Sequence, residues 1–177
     1  MRFAAFALVV GFSFGLVGLA FAADTATQTV QMNVNDICVI DVTGNPGALV
    51  VAAPTTGGQT PPDDIDNTTY AQYTSVVAGS TTRNVTAAWG GTDAAPVGCS
   101  LGLQVTNLTA GCGTQGGEIE MSALAQSIIT VIGSCATGTG GTDGGQLTYT
   151  LHIDDVSQLD ADDDQSVTVT LTLTDAS

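Results

Sequence analysis

The chain has 177 residues, with 17 Asp and Glu against 2 Lys and Arg and a formal charge of −15. It has no lysine and no basic run, so it offers no cationic footprint, and nucleic acid and anionic membrane surfaces are excluded as partners. The length suits one domain large enough to bury a core.

Residues 1–22 read as a secretory signal: Arg2 gives the positive start, Phe3–Leu19 is apolar, and Ala20-Phe21-Ala22 is a small-x-small cleavage site. The competing reading is a retained anchor, because Phe3–Ala22 is nearly long enough to span a bilayer. The cleavage site and the polar Asp24–Gln28 favour removal. The expectation is a secreted protein, extracellular or at the cell surface, with no membrane segment after processing. Arg83 is then its only basic residue.

Residues 23–36 form an N-terminal extension in which Val30, Met32 and Val34 alternate with Gln31 and Asn33, the period of a strand. Asn35-Asp36 marks a kink, after which Ile37–Ile40 and Val42 continue as strand into a domain spanning 37–177. Thr43–Gly47 is a turn and Ala48–Ala53 the next strand. Pro54–Thr68 is a long loop ending in Asp63, Asp64 and Asp66. Thr69–Val77 and Thr82–Trp89 resume strand character, and Trp89 falls on the apolar face with Val85 and Ala87, which predicts a core residue.

Leu101, Leu103 and Val105 alternate in a further strand. Glu118–Met121 is a short strand, Ser122–Gln126 one helical turn, and Ile128–Ile132 a strand closing on Gly133. The clearest signal comes last. In Gln146–Asp154, Leu147, Tyr149, Leu151 and Ile153 alternate with Thr148, Thr150 and His152. In Ser166–Thr174, Val167, Val169, Leu171 and Leu173 alternate with threonines. Many strands, turn signals between them and no long helical stretch predict an all-β antiparallel sandwich.

Four cysteines in an exported chain predict disulfides rather than metal ligands. There is no C-x-x-C pair, and His152 is the only histidine, so a zinc site is not assembled. Of the possible connectivities, Cys99–Cys112 with Cys38–Cys135 is favoured. The first closes a local loop around Ser100–Gly111, and the second ties the first strand to a late one.

Acidic clusters raise calcium as a candidate ligand. Asp160, Asp162 and Asp164 repeat at i, i+2, i+4, but Gln165 and Leu171 stand where an EF-hand needs Gly and Glu, so that motif is absent. Asp154 and Asp155, with Asp63, Asp64 and Asp66, complete the candidate set; the bland reading is a solvated loop. Gly138–Asp143 lacks the residues of a phosphate loop. His152 has no second histidine and no G-x-S-x-G beside it, and Glu118 with Glu120 reads as an exposed strand face, so no enzyme is predicted. Asn67, Asn84 and Asn107 each head an N-x-Thr glycosylation pattern.

The signal, the polar alternating N-terminal strand, the Thr- and Gly-rich sandwich and a final strand ending at Ser177 resemble donor-strand-exchange pilins of the chaperone–usher and spore-coat type. Stretches such as IITVIGSCATGTG, QLTYTLHIDD and VTVTLTLTD are also similar to a group of uncharacterised exported bacterial β-sandwich proteins. The resemblance implies an Ig-like or pilin-like sandwich with an N-terminal extension strand. It also implies a homopolymeric filament subunit whose donor segment maps to Thr27–Asn35, with Val30, Met32 and Val34 as inserting side chains. Two alternatives stay open: residues 27–42 forming one strand within a monomer, and a soluble carbohydrate- or surface-binding module using Tyr70, Tyr73, Tyr149 or Trp89.

Overall fold

The computed structural model describes residues 26–90, 94–161 and 165–176. The expected signal, Asp24, Asp162 and Asp164 lie outside the described residues. A compact unit runs from Val34 to Ser177. Its strands are β1 (Ile37–Val42), β2 (Asp64–Val76), β3 (Arg83–Trp89), β4 (Cys99–Thr106), β5 (Thr114–Gln115), β6 (Ile119–Glu120), β7 (Gln126–Ile132), β8 (Cys135–Ala136), β9 (Gly145–Ile153) and β10 (Val169–Asp175). Among the described residues there is no α-helix, only a 3-10 turn at Val156–Gln158, and no helix long and apolar enough to cross a membrane.

The strands make two antiparallel sheets. One has the order β1-β2-β9-β4-β6, with β8 also paired to β2; the other has the order β10-β3-β7-β5. The fold is therefore the predicted all-β sandwich. Alternation builds it: β2 buries Thr69, Ala71, Tyr73 and Ser75, β9 buries Leu147, Tyr149 and Leu151, and β3 buries Arg83, Val85 and Ala87. Ala71, Tyr73, Leu103, Val105 and Tyr149 from one sheet share a single core with Val85, Ala87, Ile129 and Leu173 from the other. Trp89 packs partly buried against that core.

Four expected elements take another form. The expected loop Pro54–Thr68 ends at Asp63, because Asp64–Asp66 already pair with Leu151–Tyr149 as the start of β2. Residues 48–53 are not a strand: the Asp64 carboxylate accepts the N–H of Val50 at 2.8 Å, and that of Asp66 accepts the N–H of Gly47 at 3.1 Å. Side chains thus satisfy the amides that a sheet ladder would otherwise take. Ser122–Gln126 is a bend rather than a helical turn, with Ser122 Oγ accepting the N–H of Leu124 at 3.3 Å. Residues 26–36 contain no strand, and Val30, Met32 and Val34 are exposed.

The expected disulfide pairing is corrected by the strand register. Neither expected bridge is formed. Cys38 in β1 and Cys135 in β8 both pair with Ser75, from opposite sides of β2. Two strand spacings, about 10 Å, exceed the reach of a disulfide. Cys99 begins β4, whereas Cys112 lies beyond its far end, where its N–H donates to Thr109 O and Thr109 N–H donates to Gly144 O. The strand Cys99–Thr106 alone carries the chain roughly 20 Å, at about 3.3 Å per residue, before the loop that holds Cys112 begins.

Candidate functional site

Two edge strands define the principal site. β1 is the edge of one sheet; β10 is the edge of the other and, among the described residues, pairs only with β3. They meet where the Cys38 thiol donates to Leu173 O at 3.4 Å. Beside this point Arg83, 3 % exposed, closes the seam. Its guanidinium donates to the carboxylates of Asp36 and, at 3.0 Å, Asp175, to Ile37 O at 2.6 Å, and to Ser75 Oγ and Val76 O, both at 3.3 Å. The planar fork with five donors meets the ends of β1, β2 and β10 at once, a geometry lysine does not offer.

Further along, the same edges part. Between Ile40–Leu49 on one side and Gln165–Leu171 on the other lies a groove of about 720 Å³, floored by Leu101, Leu147, Tyr149 and Leu151. Val167, Val169 and Leu171, which strict alternation points inward, are only half-buried on its wall. The groove also holds Thr69, 2 % exposed, whose hydroxyl has no hydrogen-bond partner among the described residues. A buried orphan hydroxyl is costly, and it marks where an occupant would supply a polar group.

A second cluster sits on the polar face of the larger sheet. His152 on β9 places Nδ1 2.8 Å from the Asp63 carboxylate and Nε2 against Glu118 Oε1, while Asp63 also accepts the N–H of Ile153 at 3.1 Å. Gly102 of β4 lies beneath; a Cβ there would collide with the Glu118 carboxylate and come within 2.9 Å of His152 Nε2. The hydrogen bonds to Glu118 and then Asp63 raise the His152 pKa, and the bond from His152, followed by that from the Ile153 amide, lowers that of Asp63. Both ring nitrogens are committed to carboxylates, so the imidazole clamps two segments together and has no free nitrogen to serve as a base.

The remaining acids of the expected calcium set act on backbone instead. Asp64 and Asp66 hold residues 47–50 as described, and Asp66 also accepts the Thr68 N–H at 3.0 Å. Asp155 caps the 3-10 turn, accepting the N–H of Ser157 at 3.0 Å and Gln158 Nε2 at 2.7 Å. These contacts hold their pKa values down: Asp155 through Ser157 and Gln158, and Asp66 through Thr68 and Gly47 against the opposing effect of burial. Asp154 is exposed and lines the His152 pocket with Asp63, and Asp160 is exposed. Among the described residues no group of three His, Cys, Asp or Glu is arranged to hold a metal ion.

Of the glycosylation candidates, Asn67 is exposed at the register shift in β2, Asn84 is half-buried and accepts the Val131 N–H at 3.4 Å, and Asn107 is exposed at φ 50° with its amide donating to Gln146 at 2.7 Å. Tyr73 and Tyr149 are buried and Tyr70 and Trp89 half-buried, so these aromatics do not stand out as a flat platform.

Sequence reasoning missed Arg83, the orphan Thr69 hydroxyl and the Asp63–His152–Glu118 clamp. Arg83 had a readable signal, its place two residues before Val85 on the inward face. The clamp had none, because His152 on β9 meets Asp63 and Glu118 from the segments that lead into β2 and β6, far away along the chain. Comparison with protein-family models, with curated proteins and with solved structures finds no match.

Proposed function

We propose that the protein is a structural subunit of an extracellular filament or pilus that polymerises by donating residues 27–35 to the groove of a neighbouring copy. The observation that carries this reading is the groove itself: a sandwich seam closed at one end and open at the other, with an apolar floor and, along β10, a strand edge that no other described strand pairs. The occupant it fits is an extended, uncharged chain segment with apolar residues at every second position. Thr27–Asn33 is such a segment, and Val30 and Met32 within it, like Val34, are exposed.

An added strand would pair its backbone with β10, set alternate side chains on Leu101, Leu147 and Tyr149, and bring a polar group to Thr69. Burying three such side chains contributes about 1.5–3 kcal/mol each. Arg83 binds Asp36 and Ile37 O, so it fixes the point where the donor segment leaves its own domain. One patch donating to a different patch is a head-to-tail contact, which extends into a filament where the rotation does not close.

The test is electron microscopy and sedimentation of the exported protein beside the triple variant Val30→Asp, Met32→Asp, Val34→Asp. The intact chain is expected to form filaments or a ladder of oligomers, and the variant to remain monomeric. A strictly monomeric intact protein, or filaments that survive the triple substitution, defeats the proposal.

A further inference from the structure

Two thiols far apart in the chain are brought together beside the core. β8 sets Cys135 opposite Ser75, and Thr137 N–H donates to Tyr73 O at 3.0 Å. The Tyr73 hydroxyl reaches across to donate to Cys112 O, while Thr109 Oγ1 donates to Thr137 O at 3.3 Å and Cys112 N–H to Thr109 O at 3.1 Å. The loop carrying Cys112 is thereby strapped to β8, the strand that carries Cys135, and the Cys112 side chain lies near enough to Cys135 to act on its titration.

The loop is shaped for this approach. Gly113 follows at φ 114°, and a Cβ there would lie 2.8 Å from Thr130 O, so a larger residue would push the loop off β7. Cys112 is 2 % exposed and Cys135 half-buried. The other two cysteines are elsewhere: Cys38 is across β2 from Cys135, and Cys99 is at the opposite end of β4.

We propose that Cys112 and Cys135 form a disulfide that staples the β4–β5 loop to β8, and that Cys38 and Cys99 take no part in it. The bond forms by exchange with an external disulfide. The more accessible Cys135 sulfur, as thiolate, attacks one sulfur of the oxidant, whose S–S bond breaks to release a thiolate. Cys112 then displaces the second half, so that one S–S bond is made, one is broken, and the two protons end on the two departing thiols. Burial, then the neighbouring Cys112, pushes the Cys135 thiol up to about 12, which makes its thiolate scarce once the sandwich has closed. Exchange therefore runs fastest on the open chain. Closing a segment of about 24 residues lowers the unfolding constant by roughly 300-fold.

The test is peptide mapping of the full chain refolded from reduced denaturant with oxidised glutathione, alkylated with iodoacetamide, digested with pepsin without reductant and read by mass spectrometry. The expected product is one peptide pair joining Cys112 to Cys135, two hydrogens lighter than its reduced parts, with Cys38 and Cys99 alkylated. Any link involving Cys38 or Cys99, or alkylation at all four positions, overturns the proposal. In a companion variant, Cys99→Ser is expected to leave the link intact, and loss of the link there also counts against it. Cys135→Ser is expected to raise the unfolding constant. The mapping decides on the unsubstituted chain even where that variant does not fold.

Discussion

The seam between β1 and β10 has two ends made of the same materials and finished differently. At the Cys38–Leu173 end, a buried guanidinium collects two carboxylates, two carbonyls and a hydroxyl, and the sheets close. At the Val42–Val167 end the described residues set half-buried apolar walls apart around the Thr69 hydroxyl, which has no hydrogen-bond partner among them. A sandwich edge is sealed by satisfying its polar groups, and where they go unsatisfied it invites another chain.

The largest effect is expected from unfastening the closed end. Arg83→Met keeps the bulk but takes the donor from the buried Ser75 hydroxyl and from the carbonyls of Ile37 and Val76, while the exposed Asp36 and Asp175 carboxylates stay hydrated. The melting temperature, followed by circular dichroism, should fall by about 10 °C or more. Arg83→Lys should recover only part of the loss, since one ammonium cannot reach every acceptor. A variant that melts with the parent would show that the seam is held by packing alone.

At the open end, Thr69→Val removes the orphan hydroxyl at nearly constant volume. In the monomer it should stabilise by about 1 kcal/mol in a urea titration, because a desolvation cost disappears. In the filament it should weaken assembly, because the donor loses a polar contact. Opposite signs in the two measurements would sharpen the contrast between the ends; the same sign in both would break it.

The smallest effect belongs to the His152 clamp, which lies away from the seam. Its raised pKa means that its contribution is full below the ordinary histidine value of about 6.5 and is lost as pH rises through the higher folded value. The lowered pKa of Asp63 sets the other limit: its contribution is full above the usual carboxylate range and is lost as pH falls through the depressed value. The clamp therefore adds most between about pH 4 and 6.5. Because the site is partly exposed, His152→Gln should cost only about 2 °C at pH 5.5 and less at pH 9. Gly102→Ala should displace Glu118 and bring the His152 ring titration, read by proton NMR, down towards its ordinary value.

The sequence made the strands legible where alternation ran long enough to choose a face. β9 and β10 were the clearest, and β3 and β4 followed from Val85 and Ala87, and from Leu101, Leu103 and Val105. It misled at residues 48–53, where an apolar run looked like a strand although Asp64 and Asp66 had taken its amides. It also misled over the cysteines, because nearness across β2 is set by register and not by spacing along the chain. The groove was half legible. Val167, Val169 and Leu171 showed an inward face, but nothing local to them says that the opposite wall stands back.

Arg83 has one more consequence. Apart from Arg2, it is the chain's only residue after which a trypsin-like protease can cut, and it is 3 % exposed at the start of β3, paired on both sides with Asp175 and Ile132. Cleavage there must wait for β3 to leave both its neighbours, so the folded protein should outlast such proteases for as long as it stays shut. When it does open, it should yield a single pair of fragments, which makes digestion a one-site clock for the opening of the sandwich.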